Sequence, residues 1–231
     1  MKVYYRLSNQ SAGGYKNKLT HATKYHCLQN AIDVFGGGNI TIIGDRLDPP
    51  TLEKVQLLKL RLIQVNNGSG SGTFRDALDR AIDENGDDEV IYLLEDDFLH
   101  LDSAAMLIEE GVNSFNSYVT GYDHPDKYLN KEYGGNAYIE SGGEVTRLVK
   151  SEHSHWKITN STVMSFAASR KRLVEDRELL GDFAKGKITD SFGFFQALSQ
   201  TKGISVLSPI PGVSTHVEKS WLSPFTNWTK V

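Results

Sequence analysis

The sequence predicts an α/β fold in which a mostly parallel central sheet is flanked by helices. Through the first hundred residues, short apolar runs of strand length alternate with segments whose apolar residues recur at helical spacing. The chain has 231 residues, of which 39% are hydrophobic and 23% charged, and this is enough to bury the core of one such domain. We therefore expect a single domain over residues 1–231, with one half at 1–100 and the other at 101–231.

The elements of the first half alternate regularly between strand and helix. Strands are predicted at residues 3–7, 39–43, 60–65 and 90–94. The first helix ends at the three glycines 36–38, the second follows Pro49, and the third carries an apolar face between residues 74 and 82. In the second half we expect a strand at 161–168, a basic turn at 169–172, a charged helix at 170–180, a helix from residue 190 and a strand at 204–207.

An acidic run, Glu95, Asp96 and Asp97, directly follows the predicted strand 90–94. Open parallel sheets bind ligands beyond the carboxyl ends of their strands, so the run is a candidate site. Clustered carboxylates repel one another and need a compensating cation, and oxygen ligands suit magnesium or manganese. A solvated acidic turn is the alternative that the run alone leaves open.

The order of motifs in this half resembles the GT-A glycosyltransferases, especially those of family 2. The apolar strand that ends in the acidic run is similar to their "DxD" motif, and upstream lie a loop of Asn and Gly at 66–72 and then Arg75. The resemblance implies a nucleotide-diphosphate sugar donor, bound by Ser8, Asn9, Asp45, Asn67, Gly68, Arg75 and Asp96. The sequence departs from the family at two positions: Glu95 replaces the commoner first Asp of the acidic motif, and Asp76 stands after Arg75 where Asn is usual. A surface pair between Arg75 and Asp79 is the alternative for the arginine.

The resemblance extends to two later residues. It implies that Asp190 is the catalytic base of an inverting enzyme, and that His216 joins Glu95 and Asp97 on the Mn²⁺ or Mg²⁺ ion. Asp190 also precedes an apolar helical pattern, which predicts a helix N-cap, and the two roles are compatible. An ordinary structural histidine is the alternative for His216. If Asp190 only caps the helix, a retaining mechanism that relies on the leaving diphosphate becomes credible.

The segment 153–156 offers a candidate acceptor site. His155 and Trp156 are predicted to bind the acceptor, since a tryptophan can present a flat apolar face to a sugar ring. A packed core tryptophan and a zinc site with His153 are the alternatives.

These observations together predict a metal-dependent glycosyltransferase that moves a sugar from its donor to a hydroxyl of a glycan or another acceptor. A sugar nucleotidyltransferase of similar fold is one alternative, although residues 7–15 contain Gly13-Gly14 and not the Gly-rich loop with Arg and Lys of those enzymes. A non-catalytic carbohydrate-binding protein is the other.

Charge and composition bear on partners and location. A formal net charge of -4 provides no basic field for a nucleic acid, so a nucleic-acid acceptor is possible but not favoured. The single cysteine, Cys27, cannot form an internal disulfide. No apolar stretch is long enough to span a membrane, and we expect a cytoplasmic protein.

Overall fold

The structure, a computed structural model, is described for residues 1–9, 17–140 and 142–231, and a nine-stranded sheet forms the centre of this part of the chain. In chain order its strands, together with two that pair separately, are β1 (Lys2–Ser8), β2 (Ile40–Asp45), β3 (Arg61–Val65), β4 (Val90–Glu95), β5 (Phe98–His100), β6 (Tyr118–Val119), β7 (Leu148–Lys150), β8 (His155–Thr159), β9 (Phe166–Ser169), β10 (Val206–Ile210) and β11 (Ser214–His216). The sheet order is β3-β2-β1-β4-β9-β6-β10-β8-β7, and β5 pairs with β11.

The sheet is mostly parallel, as predicted. Strands β1 to β4 are parallel to one another and β6 is parallel to β10, whereas β8 and β9 pair antiparallel with their neighbours. The sheet therefore takes strands from both predicted halves of the chain. That these halves form one domain stays a prediction.

Seven α-helices and five short 3₁₀ turns connect the described strands. The helices are α1 (Lys24–Phe35), α2 (Pro49–Leu57), α3 (Gly70–Glu84), α4 (Ala104–Phe115), α5 (Arg170–Glu175), α6 (Arg177–Asp182) and α7 (Ser191–Lys202). The turns are Gly37–Asn39, Pro125–Tyr128, Lys131–Tyr133, Lys219–Trp221 and Trp228–Lys230. None of the described helices is long and apolar enough to cross a membrane.

The core lies on both faces of the sheet, because the central strands are apolar on both sides. In β4, Tyr92 and Leu94 face the cluster formed with α1, α2 and α4, while Ile91 and Leu93 face the cluster formed with α3, α5, α6 and α7. Burial on both faces is what makes such strands continuous apolar runs that are recognisable in a sequence.

Three predictions about the second half are wrong in detail. The strand predicted at 161–168 is only Phe166–Ser169. The predicted basic turn at 169–172 begins α5, since the Ser169 hydroxyl accepts from the Arg172 N–H at 3.2 Å and caps that helix. The charged helix predicted at 170–180 is divided into α5 and α6 at Asp176, whose side chain is fully buried.

The two-stranded pairing of β5 with β11 positions the candidate site. It aligns His216 with Phe98, the residue that follows the acidic run, and the Val217 N–H donates to the Asp97 carbonyl at 3.0 Å. A histidine far along the chain is thereby fixed beside the end of β4.

Candidate functional site

The acidic run lies at the carboxyl end of β4, between β1 and the β5–β11 pair. Each of its carboxylates is paired with a cationic side chain from another part of the chain. The pairs are Glu95 Oε1 with Arg6 Nη2 at 3.2 Å, Asp96 Oδ2 with Lys24 Nζ at 2.8 Å, and Asp97 Oδ2 with Lys18 Nζ at 2.9 Å. The compensating charge that the sequence led us to expect from a metal ion is therefore supplied, in this structure, by side chains.

Asp97 has two partners on one oxygen. Its Oδ2 lies 2.9 Å from Lys18 Nζ and 3.0 Å from His216 Nε2. Burial alone raises the pKa of Asp97, but His216 and Lys18 outweigh it and hold the pKa well below its ordinary value. The neighbouring carboxylate likewise holds the pKa of Lys18 above its ordinary value, although burial acts against this. Asp97 is thus a carboxylate that faces two nitrogen groups.

Asp96 connects the run to the end of β1. Its Oδ2 accepts from the Ser8 N–H and from Lys24 Nζ, both at 2.8 Å. Burial, together with the adjacent charge of Asp97, raises the pKa of Asp96 despite these donors. Lys24 also donates to the Ser8 carbonyl, so the lysine fixes both the strand end and the acid.

The residues at Asp97 fit a divalent cation only in part. Among the described residues, no three His, Cys, Asp or Glu side chains converge as a metal site. Asp97 Oδ2 and His216 Nε2 are nevertheless 3.0 Å apart, and two neighbouring ligands of an octahedral ion with bonds of about 2.1 Å are also separated by about 3.0 Å. Glu95, the third predicted ligand, contacts Arg6 instead. Magnesium is often held by only one or two carboxylates together with substrate phosphates, so this pair fits a cation bound with a diphosphate.

A cavity of about 340 Å³ opens next to the acidic run. Its lining includes Arg6, Glu95 and His216 together with Thr189, Ser191 and Trp221. This volume falls within the range of small-molecule sites. Groups from both predicted halves of the chain therefore meet around a single space.

Three of the predicted donor-binding residues lie together at the carboxyl ends of β2 and β3: Asp45 ends β2, and Asn67 and Gly68 belong to the loop that follows β3. Asp45 is buried, and its carboxylate accepts from the backbone N–H groups of Asn67 and Gly68 and from the Thr73 hydroxyl. Gly68 has a φ of +61°, and a Cβ at this position would collide with the Arg46 guanidinium. Asp45 thus shapes the Asn and Gly loop, and its contact with a nucleotide stays a prediction.

Ser8 and Asn9 line a second, smaller cavity of about 110 Å³ between α1 and α2. Asn9 joins the end of β1 to α2, because its Nδ2 donates to Thr51 Oγ1 at 2.8 Å and its Oδ1 accepts from the Asp48 N–H at 2.9 Å. Lys24 lines this cavity while binding Asp96, so the acidic run lies between the two cavities.

Arg75 is exposed on α3, and its side chain makes no hydrogen bond or ion pair with any described residue. The predicted surface pair with Asp79 is not formed, since Asp79 Oδ1 pairs with Arg177 Nη2 at 2.6 Å. A role in donor binding stays a prediction for this arginine.

Asp190 caps α7, as one of its two predicted roles requires. Its Oδ1 accepts from the Gly193 N–H at 2.8 Å, and a Cβ at Gly193 would collide with Oδ2. The side chain is exposed, and its chain neighbours Thr189 and Ser191 line the larger cavity. Because one oxygen suffices for the cap, the carboxylate keeps acceptor capacity for a proton.

The predicted acceptor contact of Trp156 is wrong. The side chain is fully buried against Gly111 and Phe115, and its Nε1 donates to Ser151 Oγ at 2.7 Å. It presents no face to a sugar, so the core alternative is the observed one. His155 is exposed at the start of β8, where it pairs in register with Ile210, and its acceptor role stays a prediction. His153 binds Glu110.

The sequence did not reveal several residues that define the site. These are Arg6, Lys18, Lys24, Tyr122, His124 and Trp221. The last three, whose side chains are aromatic rings, form one group: the centroid of the His124 ring lies 4.9 Å from that of Tyr122 and 5.3 Å from that of Trp221. The concentration of polar and aromatic residues at 122–128 was the only signal for any of them, and it indicated no role.

Comparisons with known proteins agree with the fold. No family model matches the chain, and no curated protein does. Among solved structures, GalNAc-T7 with UDP, GalNAc and Mn²⁺ matches at a TM-score of 0.61 and 13% identity, over 92% of this chain and 42% of that one. TarS 1-349 of S. aureus matches at a TM-score of 0.51 and 13% identity, over 90% of this chain and 60% of that one. The CMP:2-keto-3-deoxy-manno-octonic acid synthetase complexed with CTP matches at a TM-score of 0.54 and 15% identity, over 92% of both chains.

The chain therefore has a GT-A-like nucleotide-diphospho-sugar transferase fold, as the sequence predicted. It spans less than two thirds of the GalNAc-T7 and TarS chains. At identities of 13–15%, the TM-scores of 0.51–0.61 show a common fold and no common activity, and these neighbours include both glycosyltransferases and a CMP:2-keto-3-deoxy-manno-octonic acid synthetase.

Proposed function

We propose that the chain is a glycosyltransferase that moves a sugar from a nucleotide-diphosphate donor to a hydroxyl of its acceptor. One observation carries this proposal: a single cavity of about 340 Å³ is lined by Glu95 and His216 and also by Trp221 and by Ser191 at the start of α7. A transferase needs both substrates to meet in one water-poor space, and a binding protein for one sugar does not.

The cations around the acidic run support the donor half of the proposal. The nucleoside would lie toward the smaller cavity at Ser8 and Asn9, and the sugar would extend into the larger one. The diphosphate would then cross the acidic run, where Arg6 and Lys24 lie on either side of Asp96 and Glu95. Mn²⁺ or Mg²⁺ held by Asp97 and His216 would act there as a Lewis acid for the leaving diphosphate.

Asp190 is proposed as the base of an inverting transfer. The acceptor oxygen forms a bond to the anomeric carbon, its proton moves to the Asp190 carboxylate, and the bonding electrons of the broken bond leave with the diphosphate. The support is positional, since the residues on both sides of Asp190 line the cavity. Trp221 would present the apolar surface for the acceptor that the sequence assigned to Trp156.

Donor turnover tests the proposal. Thermal shifts with a panel of nucleoside diphosphates and nucleotide sugars, with and without Mn²⁺, would first identify the donor, since a ligand at about 100 times its Kd adds roughly 2.7 kcal/mol of stability. That donor is then incubated with the chain, and the products are separated. Release of nucleoside diphosphate supports glycosyl transfer, whereas formation or consumption of a triphosphate identifies a nucleotidyltransferase. Binding without any turnover identifies a carbohydrate-binding protein.

A further inference from the structure

We propose that Lys18 determines whether the acidic run holds a divalent cation: its ammonium group occupies the cation position at Asp97 and must leave before a metal ion binds. The inference rests on the proposed function in one respect, namely that a divalent cation is bound by Asp97 and His216.

The position of the ammonium group is the first argument. Lys18 Nζ and His216 Nε2 lie 2.9 and 3.0 Å from the same oxygen, Asp97 Oδ2. A metal ion shared by Asp97 and His216 would have to bind this oxygen at about 2.1 Å, on the side that the two nitrogen atoms now face. An ammonium group and a divalent ion cannot both occupy that space, because they exclude and repel each other.

The charge balance of the run is the second argument. Three carboxylates are paired with three cationic side chains, so the run is neutral without a metal ion. Binding of a divalent ion would leave the cluster with an excess of positive charge, and loss of one ammonium group would offset half of it. Arg6 is buried and also donates to the Met164 carbonyl, and Lys24 also binds the Ser8 carbonyl, so both have further ties.

Lys18 is the cation of the three that can leave most readily. Its side chain is 25% exposed, against 6% for that of Arg6 and 30% for that of Lys24. What distinguishes it from Lys24, which also donates to the Ser8 carbonyl, is that Asp97 is its only hydrogen-bond acceptor among the described residues. Its backbone is held independently, through a bridge to Glu218 and through the bond from the Leu19 N–H to the Val217 carbonyl at 2.9 Å. The side chain can therefore turn into solvent while the backbone stays in place.

The test measures Mn²⁺ binding without any nucleotide. Lys18→Met removes the charge and keeps most of the unbranched side chain, which is one atom shorter. Titration followed by the electron paramagnetic resonance of free Mn²⁺ gives the Kd. We expect the variant to bind Mn²⁺ at least about 10-fold more tightly than the native chain. The matched control is Lys185→Met, which removes a charge from an exposed lysine that pairs with Asp182, and it should change the Kd less than about 2-fold.

A second substitution locates the ion. Adding Asp97→Asn to Lys18→Met should abolish the gain, because the carboxylate is then lost. An unchanged Mn²⁺ affinity in Lys18→Met, including no binding by either protein, would overturn the proposal. A gain that persists in the double variant would also overturn it, since the ion would lie elsewhere.

The native chain provides a measurement that needs no variant. Reductive methylation of lysines, read by mass spectrometry, should label Lys18 faster when Mn²⁺ is saturating, whereas Lys185 should label at an unchanged rate. Equal labelling of Lys18 with and without Mn²⁺ would contradict its displacement. Failure of the proposed function is distinguishable: if Lys18→Met gains Mn²⁺ affinity but no nucleotide sugar is turned over, the assignment of Lys18 stands and glycosyl transfer does not.

Discussion

Replacement of Asp190 by Asn separates a catalytic carboxylate from a helix cap. Asp190 Oδ1 accepts from the Gly193 N–H at 2.8 Å, and the amide oxygen of Asn can accept the same bond. Asp190→Asn should therefore cost only a few tenths of a kcal/mol, while Asp190→Ala should cost about 1 kcal/mol, within the range of about 0.5–2 kcal/mol for lost caps. For a chain of this size, 1 kcal/mol lowers Tm by about 2–4 °C.

Catalysis should respond differently from stability. Neither Asn nor Ala can accept the proton of the acceptor at neutral pH, so both variants should lose about 10²–10⁴-fold in transfer rate. Donor affinity should stay near the native value in both. Stability is followed by thermal unfolding, and transfer is followed under single-turnover conditions so that the chemical step is measured.

Ser169→Ala is the matched control for the cap. Ser169 caps α5 and pairs in register with Val90, which lies at the opposite end of β4 from the acidic run. Its loss should lower Tm about as much as Asp190→Ala and leave transfer unchanged. Transfer by Asp190→Asn above about a tenth of the native rate, with chemistry limiting, would show that Asp190 is not the base and would withdraw the inverting assignment.

Three further predictions follow from the site and its surroundings. Only Trp221 borders the cavity, so Trp221→Ala should raise the KM for the acceptor with little change in Tm, whereas Trp156→Phe should lower Tm and leave that KM unchanged. Steady-state kinetics and thermal unfolding measure these two effects, and the reverse pattern would restore Trp156 as the acceptor contact. Arg75→Ala should weaken donor binding in calorimetry without lowering Tm, since this side chain has no partner among the described residues, and an unchanged Kd would make it a surface residue. Burial lowers the pKa of His100 to about 3, so below about pH 6.5 the unfolded chain binds a proton at this histidine that the folded chain does not. The free energy of unfolding should therefore fall between pH 6.5 and 5, by up to about 1.4 kcal/mol per pH unit. Urea unfolding of His100→Phe should lack this part of the pH dependence, and an identical pH dependence would show that His100 is not responsible.

The central strands were predictable because both of their faces are buried. Continuous apolar runs such as 90–94 leave few alternatives, and the carboxylates directly after this run were placed correctly at the end of β4. The same reasoning overestimated the strand at 161–168, where Ser161 and Thr162 are buried as polar residues outside any strand. Burial alone therefore does not define a strand.

The partners of the acidic run were not predictable from the sequence. Lys18, Lys24 and Arg6 lie in different segments. The chain has 25 lysines and arginines in all, and nothing in the local sequence distinguishes these three from the rest. The acceptor role predicted for Trp156 was wrong for a related reason: a tryptophan in a strand has the same sequence pattern whether its ring contacts a ligand or packs against Gly111. Residues 10–16, which include Gly13-Gly14 of the nucleotidyltransferase argument, lie outside the described residues.

The pairing of β5 with β11 also imposes an order in time on the assembly of the site. Asp97 and His216 are separated by 119 positions, so a nascent chain will have completed β1 to β4, and can have packed α1 and α3 against them, well before His216 is synthesised. A chain arrested before β11 would lack His216 and also Val217 and Glu218, which hold the backbone at Lys18, so neither nitrogen partner of Asp97 would be held in place. Folding of the early strands and completion of the site are therefore separate events, and ribosome-bound chains of increasing length would show the first before the second.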